Sequence, residues 1–243
     1  MVIALVAALV PTVCQAQSRP PSDRPSFRGR DTPISAPLSA TRLLAAAKED
    51  ALEAHWANVE IEARGTSMTG FYDEEVGPAS GSQVLTVNGS VVMFATLVGN
   101  EGYIKGYEFF LRQLGLGPAE AAKVSGRWIS VPSTNQMFQQ LVGGLTMAGA
   151  LDGTLPQPPL TLGATVKRGT TSEQLIEGRL PPAAGAGPGS ANVWVTLGGH
   201  PLPVRASATF GNGTGPQTTF SKWGSLVRVT PPADAIPAAS LGL

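Results

Sequence analysis

Two histidines, His55 and His200, and a single cysteine, Cys14, are all that this 243-residue chain offers for imidazole or thiol chemistry. No second candidate ligand lies at metal spacing from either histidine, so neither reads as part of a metal site or an acid–base pair. His55 falls on the apolar side of an Ala-rich helical segment and reads as a semi-buried, satisfied residue. His200 sits in a Gly-Gly-His-Pro turn. The acidic run Asp73-Glu74-Glu75 reads as a solvated turn, because no alternating oxygen ligands follow it as they do in a calcium loop. There is no nucleophile elbow, zinc-protease helix or phosphate loop, and Gly115-Leu-Gly117 continues into Pro118 rather than towards a third glycine. The expectation is no catalytic residue, no metal and no cofactor. The chain does not read as an enzyme.

The chemistry that remains is apolar. One stripe, Tyr107, Phe110, Leu111 and Leu114, follows helical spacing and is stopped by Gly115 and Gly117. A second, Met137, Phe138, Leu141, Val142 and Leu145, gives a broad apolar face to a helix predicted from about Thr134 to Leu151. Between Val91 and Val98 nearly every residue is apolar, Val92 and Phe94 included, which predicts a strand buried on both faces. Such residues serve equally as a collapsed core or as the lining of an apolar slot. The candidate lipid-contacting set is therefore Val92, Phe94, Tyr107, Phe110, Leu111, Leu114, Met137, Phe138, Leu141 and Leu145. An acyl chain gains roughly 0.8 kcal/mol per methylene buried in such a slot.

The remaining elements have to position these stripes. An Ala-rich helix is predicted from Ser39 to Ala57, and Asn58 to Arg64 alternates polar and apolar as a half-buried strand does. Asn88-Gly89 is a two-residue hairpin signal, because both residues tolerate φ > 0. Pro118 to Val124 gives a further helical turn or two, followed by a strand at Arg127 to Val131. Beyond the Pro156 to Pro159 break everything reads as antiparallel strands: Leu162 to Arg168, Ser172 to Leu180, Val193 to Leu197, Val204 to Phe210, Thr218 to Trp223 and Leu226 to Val229. Trp128, Trp194 and Trp223 fall in strands, where core or cavity packing is the default use. The fold class that follows is α+β, an antiparallel sheet with helices against one face.

At the amino end, Val2 to Val10 has the length of a signal-peptide h-region. Residues 1–16 read as a signal peptide, with cleavage after Ala16 favoured over lipidation at Cys14, whose upstream Pro11-Thr12-Val13 fits a lipoprotein signal poorly. No Lys or Arg precedes Arg19, so the natural start is expected further upstream. Residues 17–38, rich in Pro and Arg, read as a disordered linker. Its arginines serve as a solvated tether or touch an anionic membrane surface. Residues 39–243 form the domain, and with Cys14 in the leader no disulfide is available to it. Lys and Arg balance Asp and Glu at 17 each, so no net field draws the protein to nucleic acid.

Four segments occur in a telling order: Asn100-Glu-Gly-Tyr-Ile-Lys-Gly106, Gly126-Arg-Trp-Ile-Ser-Val-Pro-Ser133, Phe220-Ser-Lys-Trp-Gly224 and Val227-Arg-Val-Thr-Pro-Pro-Ala233. Together they resemble the actinobacterial envelope lipoproteins of the LppX/LprG type, whose fold is related to the Lol-type carriers. The resemblance runs from about Ser39 to Ala239. It implies a strongly curved antiparallel sheet, a half-open β-barrel, with helices on its concave face and a hydrophobic cavity between them. It also implies export to the cell envelope, anchored through Cys14 or released, and an acylated glycolipid or phospholipid as ligand. The same curved-sheet fold resembles periplasmic regulators that bind anti-sigma factors, so a sensor or interaction module without lipid is the alternative, and an esterase a third. No protein partner is identified.

Overall fold

The computed structural model describes residues 39–64, 69–183, 187–210 and 213–243. The expected signal peptide, linker and Cys14 lie outside these residues.

The chain enters through α1 (Ala40–Ala54), whose Ser39 side chain accepts a hydrogen bond from the Arg42 backbone N–H at 3.3 Å. Its buried stripe is Ala40, Leu43, Ala47 and Ala51. The helix stops three residues short of the expected end, at His55, which takes φ 65°. His55 is exposed rather than semi-buried, because it forms the left-handed cap and not a further turn.

Strands β1 (Ala57–Arg64), β2 (Thr69–Val76), β3 (Ser80–Val87), β4 (Ser90–Val98) and β5 (Glu101–Gly106) then pair in sequence as an antiparallel meander. Asn88 and Gly89 turn β3 into β4 with φ of 48° and 79°, as the sequence predicts. Three short elements follow, α2 (Glu108–Gln113), α3 (Pro118–Val124) and β6 (Trp128–Pro132). The long helix expected from Thr134 to Leu151 is two helices, α4 (Gln136–Leu145) and α5 (Met147–Thr154). They part at Thr146, whose backbone is extended. Its Oγ1 donates to the Val142 carbonyl at 2.7 Å and accepts from the Gly149 N–H at 3.1 Å. The Met147 N–H leaves the helical ladder and donates to the Gly77 carbonyl at 2.8 Å, which fixes the break against the sheet.

The remaining strands are β7 (Gln157–Arg168), β8 (Thr171–Ala183), β9 (Gly187–Thr196), β10 (Pro203–Phe210), β11 (Gly213–Ser221) and the two-residue β12 (Ile236–Pro237). All twelve form one sheet in the order β12-β6-β5-β4-β3-β2-β1-β11-β10-β9-β8-β7. Every pairing is antiparallel except β12 on β6, so the sheet is mostly antiparallel and does not close into a barrel. Strand β7 carries Pro158 and Pro159, and it tolerates them because it is an edge. Leu226 to Val229, expected as a strand, pairs with nothing in the sheet. The fold is α+β, with α1 packed near β7 and β10, and α4 packed across β2 to β6.

The core lies between these helices and the sheet. Val59, Val76, Leu97, Ile129 and Val131 are fully buried on one half of the sheet, with Ile176, Val193 and Val195 on the other. Strand β4 is not buried on both faces. Met93, Ala95 and Leu97 point inward, while Val91, Val92 and Phe94 are exposed or half-buried. Phe94, Lys105 and Trp128 are cross-strand neighbours on β4, β5 and β6, with the Lys105 ammonium 5.6 Å from the Phe94 ring and 6.0 Å from that of Trp128. Trp194 is likewise half-buried, under the Arg205 guanidinium at 4.2 Å.

Candidate functional site: a cavity between the sheet and α4

Beneath α4 the side chains do not meet the sheet everywhere. A cavity of about 100 Å³ remains, floored by β2 to β5 and roofed by α2 and α4. Two inner-face glycines set the height of this roof. A Cβ on Gly81 would lie 2.2 Å from the Leu145 carbonyl oxygen, and one on Gly102 would lie 2.4 Å from Leu141 Cδ1. The C-terminal half of α4, from Leu141 to Leu145, thus rests on the sheet. The void lies beside these contacts, next to Gly144, where an added Cβ would meet nothing within 4 Å.

The floor is made by Tyr72 and Glu74 of β2, Gln83 of β3, Met93 of β4 and Ile104 of β5. The roof is made by Phe110 and Leu114 from α2 and by Met137, Gln140, Leu141, Gly144 and Leu145 from α4. Leu114 and Met137 are half-buried and Gln140 is exposed, so the cavity reaches the surface between α2 and α4. Tyr107 and Phe109, at the start of α2, are 47% and 57% exposed and do not line the cavity.

Of the residues singled out from the sequence, Phe110, Leu114, Met137, Leu141 and Leu145 come together around the cavity. Leu111 and Phe138 are buried in the adjoining core and do not line it. Val92 packs against that core at a bulge in β4, Phe94 lies on the opposite face under Lys105, and Tyr107 is the exposed N-cap of α2. The floor residues were missed. Tyr72, Glu74 and Val76 alternate with Phe71, Asp73 and Glu75, and that parity is the signal that places Glu74 inward.

The acidic run is therefore not a solvated turn but the middle of β2. Glu74 is only 3% exposed, and Gln83 Nε2 donates to its Oε1. Asn58 Nδ2 holds the strand from the far side, donating to Asp73 Oδ1 at 2.7 Å and to the Glu74 carbonyl at 3.2 Å. Burial pushes the Glu74 carboxyl up to about 8, against the lowering effect of the Gln83 hydrogen bond and with a further rise from the Asp73 charge. Tyr72 is pushed up to about 12, by burial first and then by Glu74.

A carboxyl that binds its proton more tightly folded than unfolded favours the folded state fully below its unfolded value near 4.5, and that favour is lost as pH rises through about 8. Glu74→Gln keeps the shape and has no proton to lose. Urea unfolding at pH 8 is expected to show this variant more stable than the parent by on the order of a few kcal/mol, with the difference shrinking towards pH 4. A pH-independent difference between the two would contradict the buried, neutral acid.

Among the described residues no three metal-ligating side chains cluster, and no helix is long and apolar enough to cross a membrane. His200 is an exposed residue with Nδ1 3.5 Å from Asp50 Oδ1, far from any role in the cavity lining.

No family model matches the chain, and no curated protein does. Solved structures are similar to it, LprF and LppX among them. LprF from Mycobacterium bovis superposes with a TM-score of 0.52 at 16% identity, covering 80% of this chain and 97% of that one. The lipoprotein LppX of Mycobacterium tuberculosis gives a TM-score of 0.48 at 22% identity, covering 79% of this chain and all of that one. At such identity what is shared is architecture: the chain has the fold of LprF, the LppX/LprG-type arrangement that its ordered segments resemble.

Proposed function

We propose that this chain is an exported envelope protein that shields the acyl chains of a lipid in the cavity between α4 and the sheet, and that it is not an enzyme. The observation that carries the reading is a largely apolar cavity, open between α2 and α4, in a fold shared with LprF. Helices packed against both halves of one unclosed sheet support a strongly curved, half-open barrel with the helices on its concave side. About 100 Å³ admits the end of one chain. Taking up a whole acylated glycolipid or phospholipid requires α2 and α4 to part from the floor, and the opening between these two helices is where such a lipid enters. The proposal extends to an envelope location, through lipidation at Cys14 or as a released protein, with a membrane surface as the source of ligand.

Organic extraction of protein purified from its native host, followed by mass spectrometry, tests this. A stoichiometric acylated lipid is the expected result. A stoichiometric protein partner with no extractable lipid, in protein purified without detergent, would contradict it and favour the interaction module.

A further inference from the structure

Glu74 is out of place in an acyl slot. It lines the cavity together with Met93, Ile104, Phe110 and Leu145, and a buried carboxyl among such residues is costly unless it is hydrogen-bonded. Among the described residues the side chain that bonds it is Gln83, whose Nε2 donates to Oε1. Oε1 is thereby the acceptor oxygen, and the neutral acid carries its proton on Oε2, where it is a hydrogen-bond donor. Glu74 lines the cavity, so this donor is available to whatever fills the space.

We propose that Glu74, oriented by Gln83, donates a hydrogen bond to an uncharged acceptor on the ligand, an ester carbonyl in the first instance, so that the cavity selects acyl esters over plain hydrocarbon chains. This rests on the acyl-binding reading above and assigns its polar anchor. An anionic headgroup fits the position poorly, because no Lys or Arg is among the cavity-lining residues to offset its charge. A neutral carboxylic acid used as a donor in an apolar site is an established physical solution. The titratable groups facing Glu74 are few. Tyr72 shares its face of β2 and stays neutral across the working range, Asp73 and Glu75 point away on the same strand, β3 contributes only Gln83, and α2 and α4 contribute no charged group to the lining. The donor is therefore present at neutral pH and is lost in alkali, when Glu74 ionises.

The test is displacement of an environment-sensitive dye from the full chain by methyl laurate or by tridecane, at pH 6.5 and pH 9.5. At pH 6.5 the ester is expected to displace about tenfold better than the hydrocarbon, the ratio that corresponds to one hydrogen bond. At pH 9.5 that preference falls. Glu74→Gln, whose amide still donates, keeps the ester preference at both pH values. Glu74→Leu loses it while hydrocarbon displacement is retained. Equal displacement by ester and hydrocarbon in the parent, or an ester preference that survives Glu74→Leu, overturns the proposal and leaves acyl binding standing. A parent protein that binds neither dye nor displacer overturns acyl binding itself and this assignment with it.

Discussion

Gly81→Val is expected to prevent the chain from folding. The added Cβ would stand 2.2 Å from the Leu145 carbonyl oxygen and 2.6 Å from that of Glu75. Both contacts are backbone, so no rotamer change relieves them. Gly81 pairs with Val76 on one side and Leu97 on the other, which also fixes the strand in place. Relief requires lifting the end of α4 from the sheet and also shifting β2 at Glu75, and the first breaks the seat of Leu145, Met147 and the Thr146 junction together. Overpacking alone costs about 1–3 kcal/mol, and the lost helix contacts and the displaced β2 bring the total to the scale of a domain's whole stability, about 5–15 kcal/mol. Near-ultraviolet circular dichroism and proton line dispersion report the outcome. A natively packed Gly81→Val protein would mean that α4 does not rest on β3.

Phe138→Ala is the second large effect. Phe138 projects from α4 into the core beside the cavity, 6% exposed, with its ring 3.6 Å from where a Gly102 Cβ would stand. Truncation there opens a void in close-packed surroundings, and the expected loss is about 3–5 kcal/mol, read as a shift in urea midpoint with the slope unchanged. A loss under about 1 kcal/mol would place Phe138 in pre-existing empty space and enlarge the cavity towards β6. Phe138 thus separates core from lining on the same helix that carries Met137 and Leu141.

Much of the scaffold is legible in the sequence because its signals are local. The Asn88-Gly89 turn needs two residues that accept positive φ, and the alternation of Val59, Ile61 and Ala63 needs only one solvated face. The break at Thr146 was less visible because apolar residues recur from Met137 to Leu151, although Met147, Ala150 and Leu151 are out of helical phase with Phe138, Leu141 and Leu145. What divides α4 from α5 is a contact with Gly77, remote in sequence, acting on a stretch already weakened by Gly143 and Gly144. Strand β4 misled in a different way. Its bulge at Val92 shifts the register by one residue, so an unbroken apolar run hides one buried and one open face. The candidate site was half legible. Its roof comes from helical stripes, which periodicity finds, whereas Glu74 sits in a charged run that reads as solvated until strand parity is applied.

If the space beside Gly144 holds an acyl chain, a side chain that fills it must displace that chain. Gly144→Met adds an unbranched, adaptable side chain at a point where a Cβ meets nothing within 4 Å. It also replaces a glycine within α4, which favours the helix by up to roughly 1 kcal/mol. The measurement is a titration of parent and variant with a fluorescent fatty-acyl ester, alongside their unfolding midpoints. Saturable one-to-one binding is expected of the parent, and a Gly144→Met protein at least as stable is expected to bind at least tenfold more weakly. Equal affinity in the two proteins, with the variant natively folded, would contradict acyl binding in this space.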